Sequence, residues 1–157
     1  GIAMITKLAS HFKNNPINKN IVFIAFGGEE AGLVGSSFFT NNPTFDLKEI
    51  DFVLNIDIMG SGDEGITMVN SKNQQDAFDK MTEINNEHQH IKTIKKRGQT
   101  KNSDHYPFSI KGVPAVFIYT QGDNNNYHDI FDTADHVNMK SFTKVFNLFK
   151  DFIIEHP

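Results

Sequence analysis

Ile21-Val22-Phe23-Ile24-Ala25-Phe26 is an unbroken apolar run of strand length, and it leads directly into Gly27-Gly28-Glu29-Glu30. A continuous run of this kind is expected of a central parallel strand covered on both faces. Two adjacent carboxylates at the mouth of a buried strand are costly unless they are paired or hold a cation. The stretch therefore predicts an α/β sheet with a charged site at its edge. Two further segments point to the same edge. Asn55-Ile56-Asp57 lies in a second apolar run, Ile50 to Ile58, and Tyr127-His128 lies in a loop after a third, Pro114 to Tyr119.

The remaining segments alternate helix and strand patterns. Ile2, Ile5, Leu8, Ala9 and Phe12 recur at helical spacing, and Asn14-Asn15-Pro16 ends that helix. Ala31 to Thr40 suits a helix stopped by Asn41-Asn42-Pro43. Gly65 to Val69 and Ile91 to Lys95 read as short strands. Ala77, Phe78, Met81, Ile84 and His88 share a helix face over roughly 74–87, and Phe142, Val145, Phe146, Phe149, Phe152 and Ile153 form the widest apolar stripe. The expected fold is α/β, with a mostly parallel or mixed central sheet and helices on both faces.

At 157 residues the chain is one domain's worth, enough for a single substantial core. A net charge of −4 argues against a nucleic-acid partner. The one basic cluster, Lys92 with Lys95-Lys96-Arg97, reads as a solvated loop. No stretch approaches the roughly 18 apolar residues of a membrane span. With no cysteine in the chain, a metal could be held only by His, Asp and Glu. The chain opens on Gly1, so it is expected to be a piece whose targeting signal is not observable, and the compartment stays open.

In open α/β sheets ligands bind beyond the carboxyl ends of the strands. Glu29 and Glu30 follow the first expected strand, Asp57 ends the second, and His128 lies beyond the last. Parallel strands would bring all four to one edge. Carboxylate and imidazole donors suit zinc, and a free carboxylate beside the metal is needed as general base. Adjacent glutamates could divide those two tasks, in either order.

Four motifs carry a family resemblance. Gly28-Glu29-Glu30-Ala31-Gly32-Leu33-Val34-Gly35-Ser36 resembles the GEE segment of the M28 zinc aminopeptidases, and Asn55-Ile56-Asp57-Ile58-Met59-Gly60 is similar to that family's N-x-D-M-x-G strand end. Ser103-Asp104-His105-Tyr106-Pro107-Phe108 with Gly112-Val113-Pro114-Ala115 resembles its S-D-H-x-P-F…G-[IV]-P-A stretch. Tyr127-His128 with Asp132-Thr133-Ala134-Asp135 resembles its closing Y-H…D-T-x-D. The resemblance implies a zinc-exopeptidase-like fold and two zinc ions acting on peptides with a free N-terminus. It makes Glu29 the general base, Glu30 and His128 ligands of one zinc, Asp57 a ligand of the other, and Tyr127 a donor to the oxyanion. Asp104 would stand behind the ligands.

It also implies that the family's other two ligands, a histidine and a bridging aspartate, lie upstream of Gly1. Residues 1–157 would then be the C-terminal part of a larger metallopeptidase catalytic domain, binding zinc poorly alone. Apolar surface left by the missing segment would favour self-association.

Other readings compete at single positions. Glu29-Glu30 alone could be an acidic pair at a helix start, Asp57 a turn residue and His128 a surface histidine. His105 bonding to backbone or to a carboxylate is at least as plausible as a catalytic His105. His88 and His90 fall at a helix end and read as solvated; His11, His136 and His156 read as surface residues. Gly60-Ser61-Gly62-Asp63-Glu64-Gly65 satisfies G-x-G-x-x-G, but a strand rather than a helix follows it and its acids would repel phosphate. Asp123-x-Asn125 hints at a calcium loop, but Ala134 occupies the position that needs a bidentate Glu. Two whole-chain alternatives are a glutaminyl-cyclase-like single-zinc acyltransferase, disfavoured by Tyr127 and by the absence of Trp, and a non-catalytic binding domain of the same fold.

Overall fold

The computed structural model describes residues 1–123 and 126–156. In chain order the helices are α1 (Ile2–Asn14), α2 (Val34–Asn41), α3 (Gln75–His88), α4 (His105–Ser109) and α5 (Phe142–Glu155). The strands are β1 (Val53–Ile56), β2 (Gly65–Val69), β3 (Ile94–Lys96) and β4 (Ala115–Gln121). They form one mixed sheet in the order β1-β4-β2-β3. β1 runs parallel to β4, β2 runs antiparallel to β4, and β3 is parallel to β2.

β4 is covered on both faces, so its sequence is apolar at every position from Ala115 to Ile118 rather than alternating. Its side chains still divide by the two-residue period of a strand. Val116 and Ile118 join the larger core with Met4 and Leu8 of α1, Met81 and Ile84 of α3, and Phe149 and Phe152 of α5. Ala115 joins a second cluster with Phe108 of α4 and Val113, against which Phe26, Phe39 and Val53 pack. Helices thus cover both faces of the sheet. Lys19 reaches across to the free end of α5, donating to the carbonyls of Ile153 and Ile154 at 3.0 and 3.1 Å and to that of His156.

The structure corrects four of the expected elements. Ile21 to Phe26 is not a strand: among the described residues it makes no backbone–backbone hydrogen bond. Ile21 packs on the larger core and Phe26 on the smaller, while Val22 and Phe23 are exposed. An apolar pattern supplies packing, but a strand also needs a neighbour to complete its ladder. The run expected as a strand from Ile50 to Ile58 narrows to Val53–Ile56, and Asp57 lies just past its end. The helix expected from Ala31 begins at Val34, because residues 28–33 form a turn. The strand expected at Ile91 is confined to Ile94–Lys96, which places two of the basic cluster's lysines on an edge strand.

Candidate active site

Glu29 and Glu30 sit at the tip of a tight reversal. Leu33 N–H donates to Glu29 O at 2.9 Å, Val34 N–H to Gly28 O at 3.1 Å, and Gly35 N–H to Gly27 O at 2.9 Å. A Cβ on Gly35 would lie 2.6 Å from Gly27 O, so this closure requires glycine there. The reversal ends in α2, whose first turn therefore starts four residues beyond Glu30 and lends the carboxylates little dipole support.

Asp57 emerges at the carboxyl end of β1, fixed by its own N–H to Ile118 O at 3.1 Å. Its carboxylate accepts from Ile58 N–H at 2.8 Å. Ile58 has φ 49°, the left-handed region that a β-branched residue enters only under strain. Thr120 holds this corner. Its N–H donates to Ile58 O at 3.1 Å and its hydroxyl donates to the same oxygen at 2.7 Å.

His128, also at positive φ (59°), brings its Nε2 to 3.1 Å from Glu30 Oε1. Tyr127 stacks on its ring with centroids 4.0 Å apart. Glu30, Asp57, Tyr127 and His128 all line one cavity of about 380 Å³. The parallel pairing of β1 and β4 brings Asp57, Tyr127 and His128 together, since both strands deliver their following loops to the same edge, while Glu30 arrives from the separate reversal at 27–35.

The electrostatics are those of crowded acids. Burial, then Glu30, Asp57 and Asp104, push the Glu29 carboxyl above its ordinary range, with His128 acting the other way. Burial raises Asp104 as well. Ser36 Oγ, donating to Asp104 Oδ1 at 2.5 Å, opposes that rise, and Asp57 reinforces it. Burial and the neighbouring carboxylates Glu30, Asp57 and Glu29 also raise the Tyr127 phenol, which keeps it protonated and able to donate. Such mutual repulsion is relieved by a cation. The imidazole and carboxylate donors match zinc in kind. Among the described residues, however, no three such side chains are gathered closely enough to hold a metal ion.

Other expected residues are placed differently. His105 is fully buried beside Phe117, with ring centroids 5.7 Å apart. No carboxylate pairs with it, and neither ring nitrogen meets a partner at good hydrogen-bonding geometry, the Ser103 backbone being the one polar group that acts on the ring. Burial depresses this imidazole to about 4, and the backbone of Ser103 opposes the shift. His90 is not solvated: its Nε2 lies 2.8 Å from Asp151 Oδ2. His156 packs against Phe52 and Phe152. Asn125, in the weighed calcium pattern, lies outside the described residues. Ser36 and Thr120 went unnoticed in the sequence, because a hydroxyl holding a buried carboxylate or carbonyl across the fold has no local signature.

The match to known proteins agrees with these motifs. The family model of Peptidase family M28 covers residues 1–153. The chain belongs to peptidase family M28. An aminopeptidase of Bacillus subtilis, YwaD, is 28% identical over 145 residues, which are 87% of this chain and 32% of that protein. Among solved structures, a zinc aminopeptidase from Bacillus subtilis, BSAP, superposes with a TM-score of 0.83 at 23% identity, over 97% of this chain and 39% of its own. A Bacteroides thetaiotaomicron glutaminyl cyclase superposes with a TM-score of 0.67 at 15% identity, over 90% of this chain and 51% of its own. The chain therefore spans about a third of the aminopeptidase YwaD's length.

Proposed function

We propose that this chain carries the C-terminal part of the catalytic domain of a metal-dependent aminopeptidase, cleaving residues from the free N-terminus of peptides. The observation that carries the reading is the meeting of Glu30, Asp57, Tyr127 and His128 around one cavity, with Glu29 beside them. Glu30 and His128 would hold one zinc and Asp57 a second. When bound, zinc lowers the pKa of a coordinated water towards about 7 and polarises a carbonyl. Glu29 takes the water's proton and returns it to the departing amine, so that the new N-terminus leaves as a neutral amine. Tyr127, held protonated, donates to the carbonyl oxygen as negative charge collects there.

The 157-residue chain alone is expected to bind zinc weakly and to cleave poorly. A cyclase-like activity shares the fold, but Tyr127 and a tryptophan-free sequence favour the peptidase. The test is Glu29→Gln in the full-length, zinc-loaded protein, assayed on an aminoacyl-p-nitroanilide. Turnover is expected to fall about 10²- to 10⁴-fold with zinc content retained. Undiminished turnover would remove Glu29 from the role, and a zinc-loaded parent without turnover would favour a binding domain.

A further inference from the structure

The motif Gly60-Ser61-Gly62-Asp63-Glu64-Gly65 leads into a strand rather than a helix, and its glycines are placed for close packing. β2 follows it directly. A Cβ on Gly60 would lie 3.2 Å from Val137 Cγ1, and one on Gly62 would lie 3.1 Å from Ser141 Cβ. The segment that presses on this loop is 137–141, which follows the loop of His128. Asp63 fastens it with both oxygens. Ser141 Oγ donates to Oδ1 at 2.8 Å and Asn138 Nδ2 donates to Oδ2 at 2.7 Å. Asn138 in turn accepts from Lys140 N–H at 3.0 Å, closing the turn that presents Met139.

That segment is one wall of the cavity beside Glu30, Asp57 and His128. Met59, Val137, Met139 and Phe142 supply its apolar lining, alongside the acids of the candidate site. We propose that the loop Gly60–Gly65 is a cradle that sets substrate preference, holding Val137 and Met139 against Met59 so that the cavity receives an uncharged, aliphatic N-terminal side chain. Asp63 acts here as a positioning residue and touches no reacting atom. The inference rests on the aminopeptidase reading and adds its substrate class.

Asp123, Asp132 and His136 also line the cavity. His136 Nδ1 is engaged by the carbonyl of Phe131 at 2.9 Å. A cationic side chain drawn to Asp123 and Asp132 is the competing occupant.

The test uses the full-length, zinc-loaded protein on leucine, methionine, glycine and lysine p-nitroanilides, with zinc content measured separately. Leucine and methionine are expected to exceed glycine and lysine by roughly tenfold or more in kcat/KM. Asp63→Ala is expected to raise KM for leucine and methionine by roughly tenfold, to move KM for glycine far less, and to leave zinc content unchanged. Asp63→Asn, which still accepts one of the two bonds, should recover part of the loss. Val137→Asp, at an exposed position, should turn preference towards lysine.

Lysine equal to or above leucine in the parent protein would overturn the proposal. So would an Asp63→Ala variant that slows all four substrates alike or none. A zinc-loaded parent inactive on every substrate would overturn the aminopeptidase reading itself, a result distinguishable from the other two.

Discussion

Burial depresses the His105 imidazole from 6.5 to about 4, so between those values the folded chain binds fewer protons than the unfolded one. Stability held by the neutral ring is fully present above about 6.5 and is lost as pH falls towards 4, by roughly 3 kcal/mol at most. Glu29 and Asp104, whose carboxyls are raised, act with the opposite sign: their contribution fades as pH rises through the carboxylate range. The measurement is therefore a difference. Denaturant midpoints of the parent chain and of His105→Leu, taken from pH 7.5 to 4.5, should show a smaller loss in the variant. Equal slopes would mean that His105 is not held neutral.

At the same scale, Thr120 ties the strained Ile58 carbonyl with its hydroxyl and so fixes Asp57. Thr120→Val in the full-length protein should weaken zinc binding roughly tenfold or more, measured by chelator competition, and Thr120→Ser should retain it. Affinity unchanged in Thr120→Val would show that the β4 backbone alone fixes the corner.

Elements divide by whether they have partners. Phe149 is fully buried between α5 and the sheet. Phe149→Ala should cost about 3–5 kcal/mol in chemical denaturation. Amides of Ile21 to Phe26, lacking any backbone partner among the described residues, should exchange quickly in the 157-residue chain while those of β4 stay protected. Slow exchange at Val22 and Phe23 would mean that the segment pairs after all, through self-association for example.

The contrast also explains what the sequence could reveal. Helices α1, α3 and α5 were legible to within a residue or two, because their apolar stripes are set locally by the 3.6-residue period. β4 was legible because its uninterrupted apolar character reflects burial on both faces. Ile21 to Phe26 carries the same character and misled the strand reading, since ladder formation depends on a neighbour rather than on composition. The antiparallel turn of β2 was not legible either. Strand direction is decided by connections across the fold.

For the molecule as a whole, the legible part of the candidate site was the gathering of its acids and imidazole, because Glu29-Glu30, Asp57 and Tyr127-His128 each end an apolar run or stand in a loop. The parts that were not legible are the ones that hold them: Thr120 on Ile58, Ser36 on Asp104 and Asp63 on residues 138 and 141 join positions 62 or more apart in the chain. The arrangement is a sheet edge to which β1 and β4 deliver acids and an imidazole, and its central claim is that these side chains hold divalent metal.

Zinc-edge anomalous diffraction from crystals of the full-length, zinc-loaded protein tests that claim most directly. The account expects density bonded to Glu30 and His128, with a second peak at Asp57 in the same cavity. Zinc bound only elsewhere, with Glu30, Asp57 and His128 free of it, would contradict the account.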